Sequence, residues 1–287
     1  MPAKKKGQKA SNKKRYKNVI LTIDGFTATI QLNRPKKKNA CSPDLNKDMI
    51  KAFAEVAKDG NIKVIVITGV GDAFCGGMDL EKFFLEPMVA GPDRFKEVND
   101  EVLHWMRSIH ESPAVTVCSI NGHCFGHGIN MVGLCDLAIT AEDAKFGLSE
   151  VNFGVLPAGG TMWGVINNFN RKQGLWYSLT GELFTGREAV ELGLVNRAVP
   201  REKLAEETDR LVKNLVNKNA ITLGAIKKTY QRLTPVDWLE AVDYENAKAF
   251  EVTFFQGQQG WIKQGLPQFK ERKYKPGLES YKLGKGE

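Results

Sequence analysis

Apolar and polar residues alternate along Asn18–Asp24 and again along Thr27–Leu32, on either side of Gly25. A period of two lays one face of each run on a core, and the glycine between them makes the pair a hairpin. Asn33–Ala40 is a polar loop. Ser42 is placed to cap the next helix, with Pro43 at its first position, and Leu45, Met49, Ile50, Phe53, Val56 and Ala57 form an apolar stripe at helical spacing. Val64–Thr68 is short and continuously apolar, the pattern of a strand covered on both faces. Two more such strands, Ala114–Ile120 and Asp136–Thr140, each follow a helical stretch, the first of which carries Phe95, Val98, Val102, Trp105 and Met106. Strand and helix alternating at this spacing require right-handed crossovers and an α/β fold. From about Arg201 the pattern is helical throughout, with segments at Leu204–Val216, Ala220–Leu233 and Trp238–Phe255. The expected organisation is a tail over residues 1–17, an α/β core over 18–200 and a helical carboxy-terminal subdomain over 201–287.

With 287 residues, 42% of them hydrophobic and 26% charged, the chain can bury a substantial core, which excludes wholesale disorder. No apolar run nears the roughly 20 residues of a bilayer span. The amino terminus has no apolar signal core, so a cytoplasmic protein is expected. The 41 Lys and Arg against 33 Asp and Glu leave a net charge of +8. Eight of those bases, Lys4, Lys5, Lys6, Lys9, Lys13, Lys14, Arg15 and Lys17, lie in the first 17 residues without an acid, so the rest of the chain is balanced. The tail is expected to be disordered, because it has nothing to bury. Binding to RNA through these lysines is the alternative of another class, but Tyr16 is the tail's only aromatic for base stacking, so a nucleic-acid partner is not expected. Five cysteines, Cys41, Cys75, Cys118, Cys124 and Cys135, are an odd number without CxxC spacing. They read as small buried residues in a reducing compartment, and no metal site is indicated.

Three segments carry candidate chemistry, each leading from a buried strand to a helix, where open α/β structures bind ligands. Gly69–Leu80 contains Gly76-Gly77-Met78-Asp79 and reads as a tight turn or as a backbone N–H site for a negative oxygen. Asn121–Asn130, with Gly126-His127-Gly128, offers a second such site, and two facing N–H donors would form an oxyanion hole. Neither contains GxGxxG, so no dinucleotide site is read. In Phe146–Gly160, Glu150 lies among apolar and small residues, where desolvation would suit it to general acid/base work; a helix-cap glutamate is the other reading.

The set NRPxxxNA, ITGxGxAFCGGMDL, INGxCFGxG, CDLAI, FGLSE, LTGxxFTGREAxxxGLV and KPGL resembles the crotonase, or enoyl-CoA hydratase/isomerase, superfamily. Within it, GMDL, CFGxG, FGLSEVNFG and KPGLESY are most similar to the hydroxycinnamoyl-CoA (feruloyl-CoA) hydratase-lyases. The resemblance implies a crotonase-like spiral of ββα turns, trimers stacked as hexamers, and an acyl-CoA thioester as substrate with no cofactor beyond its coenzyme A. It assigns the oxyanion hole to the backbone N–H groups of Met78 and His127, the catalytic carboxylate to Glu150, and the lining of the CoA and acyl channel to Lys37, Gly76, Leu80, Phe83, Ser149 and Phe153. Its implied activity is a hydratase or hydratase-lyase acting at the double bond of an enoyl-CoA with an aryl or unusual acyl chain. A Δ3,Δ2-enoyl-CoA isomerase using one carboxylate is the alternative.

The chain departs from the family pattern at three places. Ordinary enoyl-CoA hydratases carry a second glutamate where Asn130 stands, and the hydroxycinnamoyl-CoA lyases a serine, so Asn130 is a candidate to position water. The lyases hold the substrate phenol with a tyrosine where Asn246 stands; Tyr244, two residues earlier, faces elsewhere on a helix. His127 replaces a usual glycine, and its imidazole reads as a spectator, as a substrate-contacting group, or as the sign of an altered oxyanion hole. His104 and His110 read as surface or packing residues, and His123 is given no role. Trp163, Phe169, Trp176, Tyr177 and Phe184 read as core and subunit interface, and Trp261 and Phe269 as candidates to close the acyl pocket.

Overall fold

A computed structural model describes residues 12–233, 237–255, 261–275 and 281–282. The hairpin forms as its alternation requires. Strand β2 (Val19–Asp24) pairs antiparallel with β3 (Thr27–Leu32) in register from Val19↔Leu32 to Asp24↔Thr27. Ser42 caps the helix Pro43–Ala57 by accepting from the Leu45 N–H. Beyond it the chain winds in ββα turns, each giving one long strand to a large sheet and one three-residue strand to a small one. The pairs are β4 (Val64–Gly69) with β5 (Ala73–Cys75), β6 (Val115–Ile120) with β7 (His123–Phe125), and β8 (Leu137–Ala141) with β9 (Lys145–Gly147). Strand β10 (Leu183–Thr185) ends the small sheet and β11 (Arg197–Val199) the large one. With β1 (Asn12–Arg15) at its edge, the large sheet has the order β1-β2-β3-β4-β6-β8-β11, and the small sheet has the order β10-β9-β7-β5.

Strand β1 (Asn12–Arg15) is a correction to the expected disordered tail. It pairs antiparallel with β2, Asn12↔Ile23 to Arg15↔Ile20. Backbone pairing does not need apolar side chains, and lysines on an edge strand also deter further strands from adding there. Lys14 meets Glu55 at 2.7 Å. Residues 1–11 lie outside the described residues, as does most of the late KPGLESY stretch.

The long strands are apolar on both faces because both faces are covered. Ile65 and Ile67 point to the main core with Phe53, Trp105 and Ile120, while Val64, Val66, Val115 and Val117 meet Leu211, Leu215 and Leu223 of the late helices. The helical carboxy-terminal stretch therefore packs onto the sheet. Lys227, almost wholly buried, pairs with Asp136 at 2.8 Å, and Asp136 accepts from the Thr116 N–H and hydroxyl. Phe169 and Phe184 are core residues and Tyr177 packs against Phe184 with the rings tilted and their centroids 4.7 Å apart, whereas Trp176 is exposed. Four of the cysteines are buried thiols and Cys135 is half-buried.

Candidate active site

Three adjacent strands of the small sheet run parallel: Ala73↔His123 and Cys75↔Cys124 join β5 to β7, and Cys124↔Phe146 and Phe125↔Gly147 join β7 to β9. Their carboxyl ends release, side by side, the segments beginning at Gly76, Gly126 and Leu148. All three segments singled out in the sequence thus converge on one end of one sheet.

The first segment is braced by the Asn33–Cys41 loop. Cys41 pairs with Met78 as an isolated parallel bridge: the Cys41 N–H donates to the Gly77 carbonyl and the Asp79 N–H to the Cys41 carbonyl, each at 2.8 Å. In extended backbone successive amides point to opposite sides, so the Met78 N–H is turned away from this bridge. Gly77, at φ +92°, lies so close to the second segment that a Cβ there would sit 3.3 Å from the Phe125 carbonyl oxygen. Arg34 pairs with Asp79 at 2.8 Å, and Asn39 donates to the Ala73 carbonyl at 2.7 Å and accepts from the Arg34 N–H at 2.8 Å. This is the work done by the NRPxxxNA residues. The Gly76 N–H donates to the Lys38 carbonyl at 2.7 Å, which sets the exposed Lys37 one residue from the segment. Leu80 is half-buried, and Phe83 is buried edge-on to Phe84 at 5.0 Å.

In the second segment Gly126 takes φ +47° and caps the helix His127–Leu134. The unusual conformation falls on the glycine, so His127 needs no left-handed backbone. As the first helical residue it has no intrahelical acceptor for its N–H. Its side chain is buried edge-on to Trp105, with ring centroids 5.4 Å apart, and Nε2 has no hydrogen-bond partner among the described residues. Burial lowers its pKa to about 3, so the ring is neutral.

The third segment places Glu150 in a short helical turn, Ser149–Phe153, after β9. A Cβ on Gly126 would lie 2.7 Å from Glu150 Oε1, so the carboxylate rests directly against the start of the His127 helix. Glu150 Oε2 is buried without a partner among the described residues. Desolvation raises the Glu150 pKa to about 7, opposed in part by a bond from its own N–H. Asn130, four residues after Gly126, shares its helix face and is fully buried. Its Nδ2 donates to the Gly159 carbonyl at 2.6 Å. Ser149 is buried, and Phe153 meets Trp261 edge-on at 6.4 Å.

The pattern that defines the enoyl-CoA hydratase/isomerase family matches residues 23–279. The chain belongs to that family. Over 271 residues it is 38% identical to hydroxycinnamoyl-CoA hydratase-lyase of Pseudomonas fluorescens, covering 93% of this chain and 98% of that protein. It is 26% identical to 1,2-epoxyphenylacetyl-CoA isomerase of Escherichia coli (strain K12), covering 88% and 97%. The crystal structure of enoyl-CoA hydratase from Bacillus halodurans superposes with a TM-score of 0.78 at 25% identity, over 86% of this chain and 98% of that one.

Within this enoyl-CoA hydratase/isomerase chain, the late helix Trp238–Phe255 reaches the site through residues that the sequence reading missed. Asn246 is half-buried and Tyr244 exposed, but Glu245 between them is 5% exposed. Glu245 accepts from the Gly160 N–H at 2.7 Å and from the Trp163 N–H at 2.6 Å, and desolvation raises its pKa to about 7. A signal was present: Trp238, Val242 and Glu245 sit at i, i+4 and i+7, so an acid occupies an apolar stripe. His104 is exposed, while His110 stacks on Trp238 with centroids 5.7 Å apart. Among the described residues there is no group of His, Cys, Asp and Glu able to hold a metal, and no helix is long and apolar enough to cross a membrane.

Proposed function

We propose that this chain stabilises the enolate of an acyl-CoA thioester and acts at the double bond of an enoyl-CoA, as a hydratase-lyase on a hydroxycinnamoyl-type acyl chain. The observation that carries the reading is the Glu150 carboxylate: buried, with one oxygen unpartnered and a pKa near 7, it lies against the amino end of the His127 helix. A proton is exchangeable at Cα of a thioester only when the carbonyl oxygen can carry charge and a base stands nearby. The N–H groups of Met78 and His127 supply the first condition, each worth roughly 3–4 kcal/mol to the charged oxygen, and Glu150 supplies the second.

In the hydration step the water oxygen bonds to Cβ as Glu150 takes the water proton, and the electrons of the double bond pass to the thioester oxygen. Protonated Glu150 then returns the proton to Cα, so water is added without gain or loss. Lysis reuses the same parts. Glu150 removes the proton of the β-hydroxyl, the Cα–Cβ bond breaks, an aldehyde leaves, and the enolate held by Met78 and His127 takes that proton to become acetyl-CoA. Lys37 meets the CoA phosphates, and Gly76, Leu80, Phe83, Ser149, Phe153 and Asn246 line the channel for the thioester and acyl chain. No cofactor enters these steps. The exposed apolar residues Ile166, Leu175, Trp176 and Leu179 on two successive helices support assembly into trimers or hexamers, here in the cytoplasm.

One observation favours a second reading. Asn130 stands where a second carboxylate would serve hydration, and one carboxylate suffices to move a proton between carbons in an isomerase. Incubation with feruloyl-CoA and with a 3-enoyl-CoA separates the two. The expected products from feruloyl-CoA are the 3-hydroxy thioester, then the aldehyde and acetyl-CoA. Conversion of the 3-enoyl to the 2-enoyl thioester, with feruloyl-CoA left unchanged, would overturn the hydratase-lyase reading.

A further inference from the structure

The turn Gly159–Gly160 is held from both sides. From one side Asn130 Nδ2 donates to the Gly159 carbonyl at 2.6 Å, and from the other the two oxygens of Glu245 take the N–H groups of Gly160 and Trp163. Gly160 caps the helix Thr161–Asn168 but has no side chain to do so, and Glu245 substitutes for that cap from a distant segment. Because the nitrogen of the Asn130 amide faces a carbonyl, its orientation is fixed and Oδ1 is turned away from that bond.

Asn130 Oδ1 lies 3.2 Å from the point that a Cβ on Gly160 would occupy, and Trp238 Nε1 lies 2.6 Å from that point. Asn130 is 0% and Trp238 2% exposed, and neither of these atoms has a hydrogen-bond partner among the described residues. Val242 Cγ2, 3.3 Å from the same point, closes the space with an apolar wall. The His110 ring, nearly parallel to the indole at 25°, fixes its tilt. One buried acceptor and one buried donor therefore flank one small space at the absent side chain of Gly160, and each stands to gain from a partner.

That pairing selects the chemistry of the ligand. A carboxylate would be repelled by Oδ1, an ammonium would oppose the indole N–H, and a carbonyl would leave Oδ1 unsatisfied. A hydroxyl oxygen accepts from Nε1–H and donates to Oδ1 at once. We propose that Trp238 and Asn130 together hold the hydroxyl oxygen that joins the acyl Cβ: as water it gives one proton to Asn130 Oδ1 and the other to Glu150, and as the β-hydroxyl it keeps the Trp238 N–H while its one proton turns from Oδ1 to Glu150 for lysis. Glu245 is the positioning residue that keeps the Gly159–Gly160 turn, and through it Asn130, in place. The proposal rests on the hydratase-lyase reading above and adds to it a donor from the late helix.

Trp238→Phe keeps an aromatic ring to stack on His110 while removing the N–H together with the rest of the five-membered ring, and the exchange rate below controls for the lost packing. Two rates are measured on wild type and variant: hydration of feruloyl-CoA, and exchange of Cα hydrogen for solvent deuterium in the saturated thioester dihydroferuloyl-CoA, which uses Glu150 and the two N–H groups but no added oxygen. The expected result is a fall in the hydration kcat of about tenfold relative to exchange, the worth of one hydrogen bond, with KM for feruloyl-CoA within about threefold. Glu245→Gln, which loses one acceptor of the cap, is expected to shift the same ratio in the same direction by a smaller factor. Equal falls in both rates, or no change in their ratio, would overturn the proposal. A wild-type enzyme that hydrates no thioester and exchanges no Cα hydrogen would instead overturn the enolate reading. A crystal structure of the unliganded wild-type protein supplies a check that needs no variant. An ordered oxygen within hydrogen-bond distance of both Trp238 Nε1 and Asn130 Oδ1 is expected, and its replacement by the acyl hydroxyl in a complex with a 3-hydroxyacyl-CoA identifies the second source. Density showing no oxygen between the two atoms in either crystal would contradict the assignment.

Discussion

The large and small sheets of this protein are made by the same ββα turns, yet they are built on different terms. Strands β2, β3, β4, β6 and β8 have five or six residues, and their polar groups are spent on one another. Strands β5, β7 and β9 have three residues each and end where glycine backbones, a helix start and a carboxylate with one oxygen unpartnered among the described residues meet. The first sheet takes its stability from apolar burial, on one face in β2 and β3 and on two in β4 and β6. The second leans on the first and on braces such as Arg34–Asp79 and Asn39, and it carries groups that a stability-driven design would avoid. Stability and chemistry are therefore expected to separate under mutation.

The largest separation is expected at Glu150. Glu150→Gln keeps shape and removes the base, so kcat should fall about 10³-fold or more while affinity for a CoA thioester changes by less than about threefold, as read by steady-state kinetics and calorimetric titration. Ile67→Ala in β4 should do the opposite. It empties a fully buried site in the main core and should cost about 3 kcal/mol in urea unfolding, with kcat of the folded protein within about twofold of wild type. Gly126→Ala, at the junction of the two sheets' interests, should lose on both counts. Its Cβ would meet Glu150 Oε1 at 2.7 Å, and φ +47° is strained for alanine, so kcat should fall roughly 30-fold with about 1–2 kcal/mol of stability.

The smallest effect is a pH slope in stability. With its pKa raised from 4.5 to about 7, Glu150 binds its proton more tightly in the folded chain than in the unfolded one. Its contribution is full below about pH 4.5 and is lost as pH rises through 7. His127, lowered from 6.5 to about 3, behaves oppositely: its contribution is held above pH 6.5 and lost as pH falls towards 3. Glu150→Gln should therefore gain about 1–2 kcal/mol over wild type at pH 8 and nothing at pH 4, measured by denaturant titration at both pH values.

The same contrast governs what could be read from the sequence. The long strands and the helices Leu204–Val216, Ala220–Leu233 and Trp238–Phe255 repeat their patterns often enough to be legible; the observed limits of these helices match the expected ones, and those of the strands differ by no more than one residue at either end. Three residues such as Ala73–Cys75 contain too little alternation to register as a strand, so the small sheet was invisible except through the family resemblance. Lys13–Arg15 look like solvated tail because composition does not record backbone pairing. The segments carrying Glu150, Asn130, Met78 and His127 were singled out through glycines and motifs, but Glu245 and Trp238 lie against Gly160, some 80 residues away in sequence, where no local pattern points.

The central claim is that Glu150 transfers a proton at the acyl Cα. Feruloyl-CoA turned over in deuterium oxide, with the products followed by NMR, tests it most directly. The expected result is deuterium at Cα of the hydrated thioester and in the methyl group of acetyl-CoA with the wild-type enzyme, and neither product from Glu150→Gln over the same time. Labelled product from Glu150→Gln at a rate within tenfold of wild type would contradict it.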